Sequence, residues 1–218
     1  MRTVFDKELV SLGKSVALMG EKVEDNYDCL FKAMKDNDES MIKNIIKNDR
    51  TVNDMQRSIE AQCLHLITMQ QPLATDLRKV SASLKVVTDI ERIGDHVTDM
   101  AEIILRLHMK DISKVSAHIE EMILQTREQM HHGIESFIES KVNKEDEMER
   151  EDDIIDGLFN KVKSDVALAL KNENQDIDDC IDVLMIAKYL ERIGDHSVNI
   201  GEWENFKEDG IINNIRLL

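Results

Sequence analysis

The sequence contains little of what interrupts a helix. It has one proline and eight glycines in 218 residues, whereas β-rich folds need frequent turns built from glycine, proline and asparagine. Hydrophobic residues make up 42% of the chain, and this content excludes a disordered or low-complexity protein. The scarcity of helix breakers therefore predicts a mostly helical protein.

Long apolar runs and positive charge are also scarce. No apolar run exceeds about five residues, whereas a membrane-spanning helix needs roughly 20, and the start MRTVFDKELV lacks the apolar core of a signal peptide. The 28 lysines and arginines stand against 44 acidic residues, for a net charge of −16. Nucleic-acid phosphates require a basic surface. We therefore expect a soluble cytoplasmic protein with no nucleic-acid partner and no membrane insertion.

The three cysteines, Cys29, Cys63 and Cys180, are far apart and form no Cys-x-x-Cys pair. Each occurs in an apolar helical stretch, where a free cysteine behaves as a small buried hydrophobic residue. The sequence thus predicts three buried free thiols in a reducing compartment.

Apolar residues recur at steps of three and four along most of the chain, which predicts six long helices of about 25–35 residues each. The single proline, Pro72, suits the first turn of the third helix, where its missing N–H is not needed. The predicted helices run from about Val4 to Asp36, from about Asp38 to the break at Gln70, from Pro72 to about His108, from Val115 past Phe137, from after Asn143 past Val166, and from Ile177 to about Trp203.

Short links make sequential helices antiparallel neighbours, which predicts an all-α fold of two tandem three-helix bundles. An internal repeat supports this division, because residues 91–96 and residues 191–196 both read ERIGDH. When a duplicated module retains one hexapeptide, that hexapeptide is expected to have the same role in both copies. We expect a first three-helix repeat over residues 1–110 and a second over residues 111–218.

The carboxylates of the repeated motif continue the apolar face of each helix. In the third helix, Leu84 and Val87 lead by helical steps to Glu91 and Asp95. These two side chains lie on one face, about 5–6 Å apart at Cβ. At that distance two like charges repel by roughly 2–3 kcal/mol at an effective dielectric of 20. Something cationic must offset them, and the same holds for Glu191/Asp195 in the sixth helix.

The second and fifth helices carry partial counterparts, Asp49/Asn53 and Asp152/Asp156, near their core faces. Antiparallel packing can bring each of these pairs to the motif of its own half. Oxygen-rich clusters suit hard or borderline cations such as Mg, Ca, Mn and Fe. His96 and His196 either add nitrogen ligands or form hydrogen bonds behind the ligands.

Readings without a metal stay open for these residues. An acidic i,i+4 pair on a helix of so acidic a chain is commonly a solvated face. Arg92 and Arg192 are candidates for neutralising the carboxylates, although adjacent residues on a helix face different directions. Gly94 and Gly194 either belong to the sites or only permit close approach of another helix.

The sequence shows no catalytic machinery. It has no phosphate-binding glycine loop, no HExxH and no GxSxG. Glu128-x-x-His131 is its only Glu-x-x-His, whereas ferritin-like di-iron enzymes use two such motifs on separate helices. A non-enzymatic protein is therefore favoured over two alternatives, a carboxylate-cluster iron protein (redox or storage) and a plain helical scaffold.

With the doubled motif, the chain resembles the PhoU family of phosphate-transport and phosphate-signalling regulators. The resemblance rests on QQPLATDLRKVSASLKVVTDIERIGDHVTDMAE in the first half and AKYLERIGDHSVNIGE in the second, and it covers essentially the whole chain. It implies two three-helix bundles whose E(D)xxxD motifs bind multinuclear metal clusters, with iron or zinc expected and Mg, Mn, Ca or Ni as other candidates. It also implies a cytoplasmic, homodimeric negative regulator acting with the Pst transporter's ATPase PstB and the sensor kinase PhoR.

The family motif falls on particular positions of this sequence. Asn53 departs from it, because an acid is expected there, and Asp99 and Asn199 lie one turn beyond the motif as further candidate ligands. The implied metal ligands are Glu91, Asp95, Glu191, Asp195, Asp152, Asp156, Asp49, Asn53, Asp99 and Asn199.

Overall fold

The structure, a computed structural model, describes residues 2–70, 72–109, 111–139, 145–172, 175–212 and 215–216. Most of these residues are helical, which confirms the all-α fold. A 3₁₀ turn (Ile112–Lys114) precedes the fourth helix, and a two-residue strand pair follows the sixth. The elements are α1 (Arg2–Asp36), α2 (Glu39–Gln70), α3 (Ala74–Arg106), α4 (Ile119–Glu139), α5 (Glu145–Ala169), α6 (Ile177–Asp209), β1 (Ile211–Ile212) and β2 (Ile215–Arg216).

The helices pack as two three-helix bundles. The first bundle is formed by α1, α2 and α3, and the second by α4, α5 and α6. The bundles join where α3 lies along α6, and α1 also contacts α4. The site-bearing helices α3 and α6 thus lie at the centre of the molecule. The boundary at 110/111 stays a prediction, since Lys110 lies outside the described residues.

The outer helices bury an apolar stripe and expose a polar side, which is the pattern that folds amphipathic helices around a shared core, whereas the central α6 is packed against α3, α4 and α5. In α1 the buried stripe runs through Leu12, Val16, Met19 and Val23, each at most 1% exposed. Among the described residues no helix combines the length and the apolarity needed to cross a membrane.

Pro72 is not part of the first turn of α3, in contrast to the prediction. Leu73 is the N-cap residue, with an extended backbone, and α3 begins at Ala74. Pro72 therefore precedes the cap. The extended backbone of Leu73 leaves its apolar side chain 66% exposed.

The ends of two other helices also differ from prediction. Val115 follows the 3₁₀ turn and precedes α4, which makes α4 the shortest of the six helices at 21 residues. The last helix continues to Asp209, past the expected end near Trp203, and Gly210 ends it in the left-handed conformation (φ 75°) that glycine adopts without strain. Because of this extension the second ERIGDH lies near the middle of α6.

The burial predictions hold for two of the three cysteines. Cys63 and Cys180 are buried free thiols, as expected, but Cys29 is exposed. Helical steps from Ile177 and Ile181 to Glu191 predict that both isoleucines belong to the apolar face of α6, but they are 62% and 47% exposed. Helical periodicity identifies the correct period here but assigns these side chains to the wrong face.

Candidate metal centres

The first acidic cluster lies between α2 and α3. Asp49 of α2 accepts a hydrogen bond from Thr98 Oγ1 of α3 at 3.1 Å, which holds its carboxylate against α3. Burial and the charge of Asp95 raise the pKa of Glu91, and Asp49 adds to the effect. Burial and Asp49 likewise raise the pKa of Asp95. Three carboxylates from two helices therefore repel one another in a partly buried space.

Asn53 contributes an amide to this cluster. Its Nδ2 donates a hydrogen bond to Asp49 Oδ2 at 2.9 Å. The amide thus stabilises the Asp49 carboxylate, whereas an acid at position 53 would add a further negative charge to the cluster.

Arg92 also approaches the first cluster, although its neighbours on the helix face a different direction. Its Nε lies 3.7 Å from Glu91 Oε2 and its Nη1 lies 3.6 Å from Asp95 Oδ2. The Arg92 side chain is 57% exposed, and an exposed pair at these distances contributes at most about 1 kcal/mol. Arg92 is therefore a weak counter-charge.

The second acidic cluster lies between α5 and α6. Burial, Asp156 and Glu191 raise the pKa of Asp152, against a lowering by Gln129. Burial, Glu191 and Asp152 raise the pKa of Asp195. The four predicted carboxylates of the second half thus lie within electrostatic reach of one another.

The second cluster differs from the first in having a lysine. Lys188 Nζ donates to both carboxylate oxygens of Glu191 and lies 5.4 Å from the centre of the Phe159 ring. The residue 100 positions earlier is Thr88, whose hydroxyl donates to the Leu84 carbonyl within its own helix. The counter-charge inside the acidic cluster therefore belongs to the second half.

Sequence reasoning missed Gln129 of α4. Its side chain is fully buried, and its Nε2 lies 3.4 Å from Asp152 Oδ1 as a long hydrogen bond. The available signal was a polar residue on the buried face of α4, next to the core residue Met130. Gln129 belongs to no recognised metal-ligand motif, so only the packing of α4 against the other helices shows that its side chain reaches the cluster.

The two residues one turn beyond the motifs point across the junction between the bundles. Burial raises the pKa of Asp99, whereas a hydrogen bond from Tyr189 of α6 opposes the increase. Asn199 Nδ2 donates to Asp89 Oδ1 of α3 at 3.3 Å. Asp99 remains within electrostatic reach of Asp49, whereas the amide of Asn199 is turned toward the other bundle.

The two motif histidines meet at the same junction. The rings of His96 and His196 have centroids 5.6 Å apart, and His196 Nδ1 lies 2.9 Å from Asp89 Oδ1. Burial lowers the pKa of His96 to about 4, with the charges of His196, Arg192 and Arg92 adding to the effect. His96 is therefore neutral at pH 7.

A tighter group of potential ligands lies elsewhere. Within the described part of the chain, His108, Asp176 and Asp179 are the group whose ligand atoms all lie within 4.8 Å of one another. Asp179 accepts 2.9 Å hydrogen bonds from the backbone N–H groups of His108 and Met109, and Asp176 caps α6. These carboxylates have structural partners, so we assign the group to helix capping.

The donor chemistry of the two acidic clusters fits a metal. Their potential ligands are carboxylate and amide oxygens, the ligands of hard divalent cations, and iron and zinc also accept carboxylates. Burial first, and then the charges of neighbouring carboxylates, raises the pKa values of Glu91, Asp95, Asp152 and Asp195, and a bound cation would oppose both effects.

The sequence matches the PhoU domain family over residues 16–104 and again over residues 119–203. A Clostridium acetobutylicum protein described as a phosphate-specific transport system accessory protein PhoU homolog is 33% identical over 203 residues, 92% of each chain. The Escherichia coli accessory protein PhoU is 27% identical over 91% of this chain and 83% of its own.

Solved structures have the same fold. The crystal structure of the phosphate transport system regulatory protein PhoU from Streptococcus pneumoniae superposes with a TM-score of 0.87 at 25% identity, over 97% of this chain and all of that one. PhoU from Pseudomonas aeruginosa superposes with a TM-score of 0.88 at 23% identity, over 95% of this chain and all of that one.

Proposed function

This chain belongs to the PhoU family, and on that premise we propose that it is a cytoplasmic, metal-binding regulator of phosphate uptake and phosphate-starvation signalling. Relatives described as phosphate-specific transport system accessory proteins support a role beside a phosphate transporter. The observation that carries the metal-binding part is the pair of acidic clusters, one per bundle, each built around an ERIGDH copy near the middle of a central helix.

The clusters bind their cations through carboxylates of two helices each. Asp49, Glu91 and Asp95 serve the first cluster, assisted by Asn53 and Asp99. Asp152, Asp156, Glu191 and Asp195 serve the second, with Asn199 as an outlying candidate. We propose multinuclear iron or zinc clusters, and the oxygen donors also suit Mg, Mn, Ca or Ni.

The protein acts as an adaptor rather than as an enzyme. It connects a PstB-type ATPase subunit of the phosphate transporter to a PhoR-type sensor kinase, represses the phosphate regulon when phosphate is plentiful, and works as a homodimer. Its net charge of −16 favours basic protein surfaces over nucleic acid. Such electrostatic association weakens with salt, as the Debye length falls from about 10 Å at 0.1 M to about 3 Å at 1 M.

The alternative, a redox or storage iron protein, finds less support. His131 Nδ1 lies 2.8 Å from Glu24 of α1, and Glu128 accepts a long hydrogen bond from Gln125. The Glu-x-x-His motif thus takes part in exposed contacts with Glu24 and Gln125. Oxygen consumption by the iron-loaded protein would reverse this preference.

The test combines metal analysis with a cellular reporter. Elemental analysis of protein purified without chelators should find metal, and a variant with Glu91→Gln and Glu191→Gln should hold much less. In a strain that lacks the gene and any paralogue, a phosphate-starvation reporter should stay active at high phosphate. Wild type should restore repression and the double variant should not.

The matched control exchanges two exposed glutamates, Glu21→Gln and Glu149→Gln, and should repress as wild type does. Full repression in the deletion strain would refute the regulatory role. Full repression by the Glu91/Glu191 variant would leave regulation intact and remove the clusters from it.

A further inference from the structure

The Gln129 side chain carries an unsatisfied polar atom beside the second acidic cluster. The residue is 0% exposed, and its Nε2 contacts Asp152 Oδ1 at 3.4 Å. Its Oε1 is buried and has no hydrogen-bond partner among the described residues. A buried carbonyl oxygen without a partner costs free energy. Such an atom next to the Asp152 carboxylate therefore calls for an explanation.

Gly194 leaves the space that this oxygen occupies. A Cβ atom at position 194 would lie 2.8 Å from Gln129 Oε1 and 3.5 Å from Asp152 Oδ1. Any larger residue would push the amide away from α6, because real Cβ atoms do not approach other atoms so closely. The glycine of the second motif thus admits an amide oxygen from a third helix to the place where α5 and α6 face each other.

The equivalent glycine of the first half, Gly94, has apolar neighbours instead. A Cβ atom at the equivalent Gly94 would meet Val52 at 3.2 Å and Val23 of α1 at 3.5 Å, both apolar. Val23 is completely buried. The two repeats therefore use the same glycine for different neighbours, a valine from α1 in one and a glutamine from α4 in the other.

We propose that Gln129 is a ligand of the second cluster, where its amide oxygen joins Asp152, Asp156, Glu191 and Asp195 in binding a hard divalent cation. The proposal rests on the metal-binding part of the proposed function. It means that the second site draws donors from three helices, α4, α5 and α6. A neutral oxygen donor adds coordination without adding negative charge, and this favours cations that take many oxygen ligands.

A rotation of the amide brings its oxygen to the cluster. The two ends of a glutamine amide have nearly the same shape, and which end faces Asp152 follows the hydrogen-bond network. The NH₂ group faces the Asp152 carboxylate, with Nε2 3.4 Å from Oδ1. With a cation on Asp152, rotation about the last side-chain bond presents the oxygen instead and gives the orphaned atom a partner.

The experiment is a Mn²⁺ titration of the full-length chain, read by calorimetry and by the EPR signal of free Mn²⁺. A background with Glu91→Gln and Asp95→Asn silences the first cluster. In that background Gln129→Met, which keeps the length of the side chain and removes the oxygen, should weaken Mn²⁺ binding by about tenfold or more. Gln129→Glu, which restores an oxygen donor, should bind at least as tightly as the parent.

Two controls separate a ligand from a packing residue. Gln125→Met, one turn earlier on α4 and only partly buried, should leave the dissociation constant unchanged. In a second background with Asp152→Asn and Asp195→Asn, Gln129→Met should have no effect on the remaining site. Circular dichroism of each variant checks that it folds.

A direct readout does not depend on any substitution at position 129. In the first background, the diamagnetic cation Mg²⁺ should shift the side-chain carbonyl ¹³C NMR signal of Gln129, with the Gln125 signal unchanged. Equal dissociation constants for the parent and Gln129→Met, or an unshifted Gln129 carbonyl signal in the Mg²⁺-saturated protein, would overturn the ligand role and leave the metal-binding proposal intact. If neither the parent nor the wild-type protein bound Mn²⁺, both the ligand role of Gln129 and the metal-binding part of the proposed function would be overturned.

Discussion

At the scale of single residues, the ammonium group of Lys188 supplies a positive charge within the second cluster. Its ammonium group contacts both oxygens of Glu191, so an incoming metal must displace it. Replacing Lys188 with methionine should raise the affinity of the second cluster for Mn²⁺ by about tenfold, or about 1.4 kcal/mol. The same variant should lower the melting temperature of metal-free protein, because Glu191 and Asp195 lose their counter-charge. Calorimetric titration and thermal unfolding measure the two effects.

The control for Lys188 is Lys163, which also lies against the Phe159 ring, at 5.9 Å, but is exposed on α5. Lys163→Met should change neither Mn²⁺ affinity nor the metal-free melting temperature appreciably. Equal Mn²⁺ affinities for wild type and Lys188→Met would mean that the lysine does not compete with the metal.

The buried ring of His96 makes stability depend on pH. Its pKa falls from 6.5 to about 4 on folding, so the unfolded chain takes up a proton at higher pH than the folded one. The neutral ring contributes its full stability above pH 6.5, and this contribution is lost as the pH falls toward 4. Between pH 6.5 and pH 4 the free energy of unfolding of wild type should therefore fall by about 1–3 kcal/mol more than that of His96→Asn.

Urea unfolding at several pH values checks the effect of His96. The exposed histidine His65 of α2 is the control, and His65→Asn should follow the wild-type pH profile. Parallel profiles for wild type and His96→Asn would show that the ring at the junction is not the source of the acid sensitivity.

At the scale of helices, the approach of α4 to α6 depends on Gly133. A Cβ atom there would lie 2.8 Å from the backbone oxygen of Ser197, and a backbone atom cannot move aside as a flexible side chain can. Gly133→Ala should force the two helices apart and destabilise the protein by about 1–3 kcal/mol. Chemical denaturation measures the change in the free energy of unfolding.

Gly157 of α5 provides the matched control. Nothing lies within 4 Å of its added Cβ atom, and alanine is favoured over glycine inside a helix by up to about 1 kcal/mol. Gly157→Ala should therefore stabilise the protein. If both alanine variants were stabilised alike, the close approach of α4 and α6 would be wrong.

At the scale of the whole molecule, bound metal should stabilise both bundles. A cation at 100 times its dissociation constant adds about 2.7 kcal/mol to the folded state, which for a chain of this size amounts to about 5–10 °C in melting temperature. Chelation of verified metal-loaded protein should lower the melting temperature by that amount. Asp195→Asn should remove the share of this sensitivity that belongs to the second cluster.

Asp209→Asn, at the exposed end of the same helix, should keep the full chelator response of wild type. An unchanged melting curve after exhaustive chelation of the wild-type protein would contradict a structural contribution of the metal.

Prediction from the sequence succeeded where the physics is local. Helical periodicity and the scarcity of breakers identified six helices, because both depend on residues a few positions apart. The register of Glu91 and Asp95 on one face followed from the same spacing. Prediction from the sequence failed at helix boundaries such as Pro72, which was expected in the first turn of α3 but precedes its N-cap residue. It also failed at Cys29, which was expected to be buried but is exposed.

The sequence by itself determined the all-α class, the repeated motif and which acidic side chains share a helix face, since helix geometry alone relates residues four apart. Only the tertiary structure decided that Gln129 reaches the second cluster, that His96 meets His196, and that Asn199 turns toward Asp89. The residues in each of these contacts lie on different helices, 23 to 110 positions apart in the chain. How the helices cross and rotate against one another sets such contacts, and that depends on the packing of the whole core rather than on any local pattern.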